Sequence, residues 1–410
     1  MTRERFAAVD TDDRLATFRE RFELPPGVIY LDGNSLGPLP RDTPQHIARV
    51  MREEWGTQLI KAWTACNWID MPLRVGGKIA QLIGAQADEV LCADSTSVNV
   101  FKALSAALAL NPQRKIILST HDNFPTDLYM AQGLIRQLDK RHELRLVDES
   151  EVGAALNDEV AVLLLTHVNY KTGRMHDMAA LTQQAHARGV LVLWDLAHSA
   201  GAVPVALNQA EADFAVGCGY KYLNGGPGAP AFIFVARRWQ NQFQQPLSGW
   251  LGDVRPFAFD PFYEPVSGVG RYMVGTPPLL SMAALECSLD LLLKVDLGLL
   301  RAKSLALSEA FIELVERRCA GQGLQLATPR VQHERGSQVS FHHPEGYAIM
   351  QALIMHGVIG DFRAPDILRF GFAPLYNRYV DVWDAVEVLA KILDERLWDA
   401  PQFMARKKVT

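Results

Sequence analysis

The stretch VLVLWDLAHSAGAVP, residues 190–204, decides the fold. Its first residues are apolar without the alternation of a half-exposed strand, so a strand here would be buried on both faces. It ends in Asp195, with His198 three residues later. Working outward, runs of the same kind recur: KIILST (115–120), HELRLVD (142–148), AVLLLTHV (161–168), DFAVGC (213–218) and PAFIFVA (230–236). Helix-length segments separate them. This alternation predicts an α/β fold with a mostly parallel central sheet covered on both faces. From about 279 to 320 the pattern turns helical, and the remainder mixes short strands with a helix near 380–397. That reads as a smaller C-terminal α+β domain joined through a long helix. The working boundaries are an N-terminal segment over 1–40, a large domain over 41–285 and a small domain over 286–410.

Of the 410 residues, 49% are hydrophobic and 21% charged, which suits a globular chain able to bury a large core. The formal net charge is -5, and acidic and basic residues alternate without long blocks. The electrostatic footprint of a nucleic-acid binder is therefore missing, and a small-molecule partner is expected. The five cysteines, Cys66, Cys92, Cys218, Cys287 and Cys319, are scattered and form no CxxC pair. They read as reduced thiols, with neither a disulfide framework nor a metal site. The charged N-terminus and the shortness of the apolar runs point to the cytoplasm, with no membrane partner.

In a parallel sheet, ligands gather at the carboxyl ends of the strands. Asp195 stands at such an end and needs a cation or strong hydrogen bonds if buried. Read alone, it serves equally well as a cap on the next turn. Lys221, in GCGYKYLNGGPGAP (217–230), follows the next strand-like run and belongs to the same sheet edge. Burial lowers a lysine's pKa and frees the neutral amine as a nucleophile, whereas a lone lysine at a strand end usually extends to solvent. The glycines after it allow backbone to approach a ligand closely. In CADSTSVNVFKALSAALAL (92–110), Ser95, Thr96 and Ser97 precede an apolar helix, a place for plain N-capping or for a phosphate. HDNFPTDLYM (121–130) adds the aromatic face of Phe124 and the carboxylate of Asp127.

A reactive lysine, an acid for a pyridinium nitrogen, a phosphate cradle and a flat apolar face are what pyridoxal 5'-phosphate requires. No HExxH, GxSxG, GxGxxG or Walker A motif competes.

The chain resembles the kynureninases, fold-type I enzymes that depend on pyridoxal phosphate, in their bacterial form. The resemblance rests on YLDGNSLGPLP (30–40), DSTSVNV (94–100), NFPTD (123–127), WDLAHSAGAVP (194–204), CGYKYLNGGPGAP (218–230), GWLGD (249–253), GTPP (275–278) and RFGFAPLYN (369–377). It spans nearly the whole length. It implies that Lys221 forms the Schiff base, Asp195 pairs with the pyridinium nitrogen and Phe124 stacks on the ring. Thr96, Ser97 and Tyr220 would reach the phosphate, with Asp127, Thr166 and His198 lining the cofactor. Trp250 and Thr276 match cofactor contacts that arrive from the neighbouring subunit, which implies a homodimer with shared active sites. Arg369 matches the arginine that clamps the substrate α-carboxylate. Tyr220 is a candidate proton relay, and Trp63 and Trp68 are candidates only for lining an aryl pocket.

The activity implied is hydrolytic cleavage of the Cβ–Cγ bond of L-kynurenine, or of its 3-hydroxy form, to anthranilate or 3-hydroxyanthranilate and L-alanine. This belongs to tryptophan degradation through the kynurenine pathway, which also feeds NAD biosynthesis. Two rivals stand beside it. A cysteine desulfurase of the same fold needs a reactive cysteine on a mobile loop, and no cysteine here has that setting; a non-catalytic cofactor-binding regulator needs a DNA-binding appendage, and none is visible.

Overall fold

The computed structural model describes residues 2–243 and 245–405. Among these, no helix is long and apolar enough to cross a membrane. Two compact units form, and each is considered by itself: Thr43–Tyr170 with His176–Lys294, and residues 2–42 with Lys171–Met175 and 295–405.

The larger unit is built on a seven-stranded sheet. Its spatial order is Val90–Cys92, Ala231–Val235, Phe214–Cys218, Leu191–Asp195, Val160–Thr166, Ile116–Thr120, Glu143–Val147. Pairing is parallel from Phe214–Cys218 to Glu143–Val147 and antiparallel on both sides of Ala231–Val235. Every residue of Ile116–Thr120, Val160–Thr166, Leu191–Asp195, Phe214–Cys218 and Ala231–Val235 is buried. This is why those runs lack alternation: helices such as Thr96–Leu110 and Met178–His186 cover the sheet, leaving these strands no solvent face. The antiparallel edge Val90–Cys92 was not anticipated. Three residues are too few to carry a period.

One polar group is sealed beneath this sheet. Asp213 accepts hydrogen bonds from Val192 N (2.8 Å), Arg238 Nη2 (2.6 Å) and Trp239 Nε1 (2.7 Å), and meets His186 Nε2 at 2.8 Å. Burial alone would raise its carboxyl pKa, but the hydrogen bonds from His186, Trp239 and Arg238 outweigh it and hold the group below its usual value. Asp213→Asn should therefore cost about 1.5–3 kcal/mol at neutral pH in urea unfolding. Because the folded-state pKa is depressed, this stabilisation exists above the unfolded-state value and fades as pH falls through the folded-state one. The gap between wild type and variant should accordingly narrow in acid.

The smaller unit holds a four-stranded antiparallel sheet in the order Asp361–Arg363, Ile367–Gly371, Gln338–His342, Gln325–Leu326. Helices Leu297–Arg318, Gly346–Met355 and Tyr379–Asp394 belong to this unit, and their apolar residues share one core with the sheet's. The N-terminal segment, residues 2–42, belongs to this unit. Ile29–Tyr30 pairs in parallel with Val358–Ile359, and Asp32 bridges to Gly371. The Asp10 carboxylate accepts from the N–H groups of Tyr379 and Val380 at 2.7 and 2.9 Å, capping the helix they begin. A two-residue strand has no stability without such partners. The long helix expected over 279–320 is two helices, Leu279–Leu292 and Leu297–Arg318. The break comes where Asp296 caps the second, its carboxylate accepting from Gly298 N and Leu299 N.

Candidate active site

The parallel register aligns strand ends. Thr166 lies opposite Asp195, and Asp195 opposite Val216, so the chain segments leaving these strands emerge at one edge of the sheet. Beyond Cys218 the chain must reverse at once, and glycine makes that possible. A Cβ on Gly219 would stand 2.5 Å from the Pro230 carbonyl oxygen, and one on Gly225 would stand 2.7 Å from that of Gly219. Lys221 is held in this reversal, its own carbonyl accepting from Asn224 N at 2.9 Å.

A hollow opens at this edge, lined by Thr96, Ser97, Phe124, Thr126, Asp127, Thr166, Tyr170, Asp195, Ala197, His198, Tyr220 and Lys221. Nine of the twelve residues nominated for cofactor and substrate thus line this hollow; Trp250 and Thr276 do not, and Arg369 belongs to the smaller unit. Lys221 Nζ stands 3.0 Å from His198 Nε2 and 5.9 Å from the centre of the Phe124 ring. Phe124 is itself steadied edge-on by Tyr170, ring centres 5.2 Å apart.

Two buried carboxylates dominate the electrostatics of the hollow. Asp195 and Asp127 are buried, and Asp195 Oδ1 accepts from Ala197 N at 2.7 Å. Burial raises the pKa of Asp195, opposed by the positive charge of Lys221. Burial, with the Asp195 carboxylate beside it, pushes Asp127 well above its usual range. Among the described residues no donor reaches Asp127 Oδ2. Burial likewise raises the Tyr220 phenol, with added contributions from Cys218 and Asp195, so it remains a proton donor at neutral pH.

The start of the helix Thr96–Leu110, capped by Ser95 Oγ accepting from Val98 N, also borders the hollow. The first N–H groups of a helix have no partner within it, and the Thr96 and Ser97 hydroxyls join them there. The donor set therefore fits a flat ring carrying a cationic N–H at one end and a phosphate at another, beside an amine able to condense with a carbonyl. That is the chemical outline of pyridoxal phosphate.

The remaining nominated residues lie elsewhere. Trp250, 39% exposed, begins the short 3-10 helix Trp250–Gly252 with Phe257 edge-on to it, and Thr276 is exposed too. Arg369 is fully buried, its Nε donating to Asp361 Oδ1 at 2.7 Å, with Nη2 donating to the other oxygen of that carboxylate. Trp63 and Trp68 pack edge-to-face and do not line the hollow; Trp68 donates to Glu54 at 2.7 Å. Sequence reading missed Tyr170, which lies in no motif, and Asp361, whose pairing with Arg369 comes from register, since Asp361 lies opposite Arg369 on adjacent strands.

Over the full length of both chains, this chain is 57% identical to a protein of Burkholderia mallei (strain SAVP1) named kynureninase, and 53% identical to one of that name from Pseudomonas fluorescens. The profile of the kynureninase C-terminal domain matches residues 300–389. Among solved structures, a cysteine desulfurase from Thermococcus onnurineus NA1 superposes with a TM-score of 0.79 at 18% identity, over 92% of this chain and 98% of its own. The cysteine desulfurase CsdA of Escherichia coli gives 0.75 at 19% identity, over 93% and 99%. At such identities the likeness is one of fold, the fold-type I architecture that the sheet order already displays. The relatives matched from end to end carry the finer assignment: the chain belongs to the kynureninase family.

Proposed function

We propose that this protein is a pyridoxal-phosphate-dependent hydrolase that cleaves the Cβ–Cγ bond of L-kynurenine to anthranilate and L-alanine, and of 3-hydroxykynurenine to 3-hydroxyanthranilate and L-alanine. The observation that carries this reading is Lys221, whose amine stands beside His198 and over Phe124 at the edge occupied by Asp195, in a chain so close to proteins named kynureninase. When bound, pyridoxal phosphate supplies an electron sink for carbanionic charge on the substrate.

This chain's residues do the rest. Thr96 and Ser97 hold the phosphate at the helix start, and Phe124 covers one face of the ring. Asp195 keeps a proton on the ring nitrogen, and Asp127 supports it. The Lys221 amine, once released, takes the proton at the substrate Cα, and the Tyr220 phenol hands protons on within reach of it. Arg369, aligned by Asp361, binds the substrate α-carboxylate with its planar fork. Trp250 and Thr276, both exposed in this chain, serve the site of a second copy in a homodimer. A cytoplasmic place in tryptophan degradation follows from this activity.

The test is incubation of purified, cofactor-loaded protein with L-kynurenine, followed by 3-hydroxykynurenine as competitor. Anthranilate and alanine in equal amounts are expected. No product from either substrate would overturn the reaction while leaving the fold in place. Arg369→Lys should raise KM for kynurenine about ten-fold to a hundred-fold with a smaller change in kcat, because an ammonium cannot match the bidentate grip. Steady-state kinetics would show an unchanged KM if Arg369 has no part in binding.

A further inference from the structure

The helix Thr96–Leu110 carries a lysine in its second turn, Lys102, whose side chain is 0% exposed. An ammonium is costly in such a place unless paired. Its Nζ donates to the Asp94 carboxylate and, at 2.5 Å, to the Tyr272 carbonyl. Asp94 stands between the edge strand Val90–Cys92 and the helix cap Ser95, in the left-handed region with φ 53°. That conformation is uncommon for a residue with a Cβ and persists where its surroundings determine it. Here they do. The Asp94 carbonyl accepts from Ala231 N at 2.9 Å, and Asn99 Nδ2 donates to the Ala93 carbonyl at 2.9 Å. Asn99 and Lys102 thus reach back from the helix to hold the turn that introduces it.

The charge matters as much as the shape. The Asp94 side chain is 29% exposed and stands two residues before Thr96, where an uncompensated carboxylate would repel an incoming phosphate. We propose that Lys102 is a positioning residue for phosphate binding: it cancels the Asp94 charge beside the cradle and fixes the left-handed turn that sets the direction of the Thr96 and Ser97 donors. Burial lowers the pKa of the Lys102 ammonium, and the adjacent Asp94 carboxylate opposes part of that fall. This inference rests on the proposed reading of Thr96 and Ser97 as the phosphate site.

The experiment titrates the cofactor-free protein with pyridoxal phosphate and, separately, with pyridoxal, following visible absorption and intrinsic fluorescence. Wild type should prefer the phosphorylated form. Lys102→Met should reduce that preference about ten-fold or more by weakening pyridoxal phosphate selectively, and the double variant Lys102→Met with Asp94→Asn should recover most of it. Equal weakening of both ligands, or no recovery in the double variant, would show a merely structural lysine and overturn the proposal. Should Lys102→Met fail to fold, Asp94→Asn alone decides: an equal or greater preference for pyridoxal phosphate is expected, and a reduced one overturns the proposal. A wild type that binds both ligands alike would instead refute the phosphate site at Thr96 and Ser97, and the role of Lys102 with it.

Discussion

Lys221→Ala should lower turnover of kynurenine by more than about three orders of magnitude while the protein still folds. The side chain lies half-buried at the lip of the site, outside the apolar core, so its truncation opens no cavity among the packed residues. What is lost is chemistry. The amine has two tasks: covalent attachment of the cofactor, and proton transfer at the substrate Cα. Neither His198 nor Tyr220, its neighbours, can condense with an aldehyde as a primary amine does. Absorption spectroscopy of the variant with added cofactor should show no lysine-linked visible band, and circular dichroism should match wild type. A persistent band of that kind would mean another lysine does the work.

Asp195→Asn should lower kcat about a hundred-fold to a thousand-fold without destabilising the cofactor-free protein. The amide keeps the shape of the carboxylate and can still accept from Ala197 N. It cannot hold a cationic ring nitrogen, so the electron sink weakens. The stability part follows from the sign of the pKa shift. Burial raises the folded-state pKa of Asp195, so the carboxylate destabilises the folded protein increasingly as pH rises above the unfolded-state value. The amide removes that cost, and urea unfolding of the cofactor-free variant at neutral pH should show equal or greater stability. A less stable variant would place Asp195 among structural ion pairs, as Asp213 is, and outside the catalytic machinery.

The contrast between these two aspartates shows how far a sequence can be read. Asp195 ends one buried strand and Asp213 precedes the next, so the sequence places them at opposite ends of the sheet but does not say what meets either charge. Asp213 is enclosed by four donors from distant positions, His186, Val192, Arg238 and Trp239, and its pKa falls. Asp195 is buried with less compensation, from the Lys221 charge, the Ala197 N–H and a hydrogen bond with Asp127, and its pKa rises. Trp250 and Thr276 make a related point. The family motifs marked them for the cofactor, yet neither lines the hollow of this chain.

By itself the sequence determined the parallel sheet, because unbroken apolar runs at regular intervals have no other economical burial, and it picked out the edge where the hollow opens, because Asp195 ends one such run and Lys221 follows another. Its motifs, through resemblance, also named the family. Tertiary structure alone decided the rest: the edge strand Val90–Cys92, the weaving of residues 29–32 into strands more than three hundred residues away, the acid pair of Asp127 and Asp195, and the holding of Arg369 by Asp361 and of Asp94 by Lys102. Periodicity records which faces of a local element are buried. Which distant group meets a buried charge is set by register and packing, and those energies belong to no single stretch of chain.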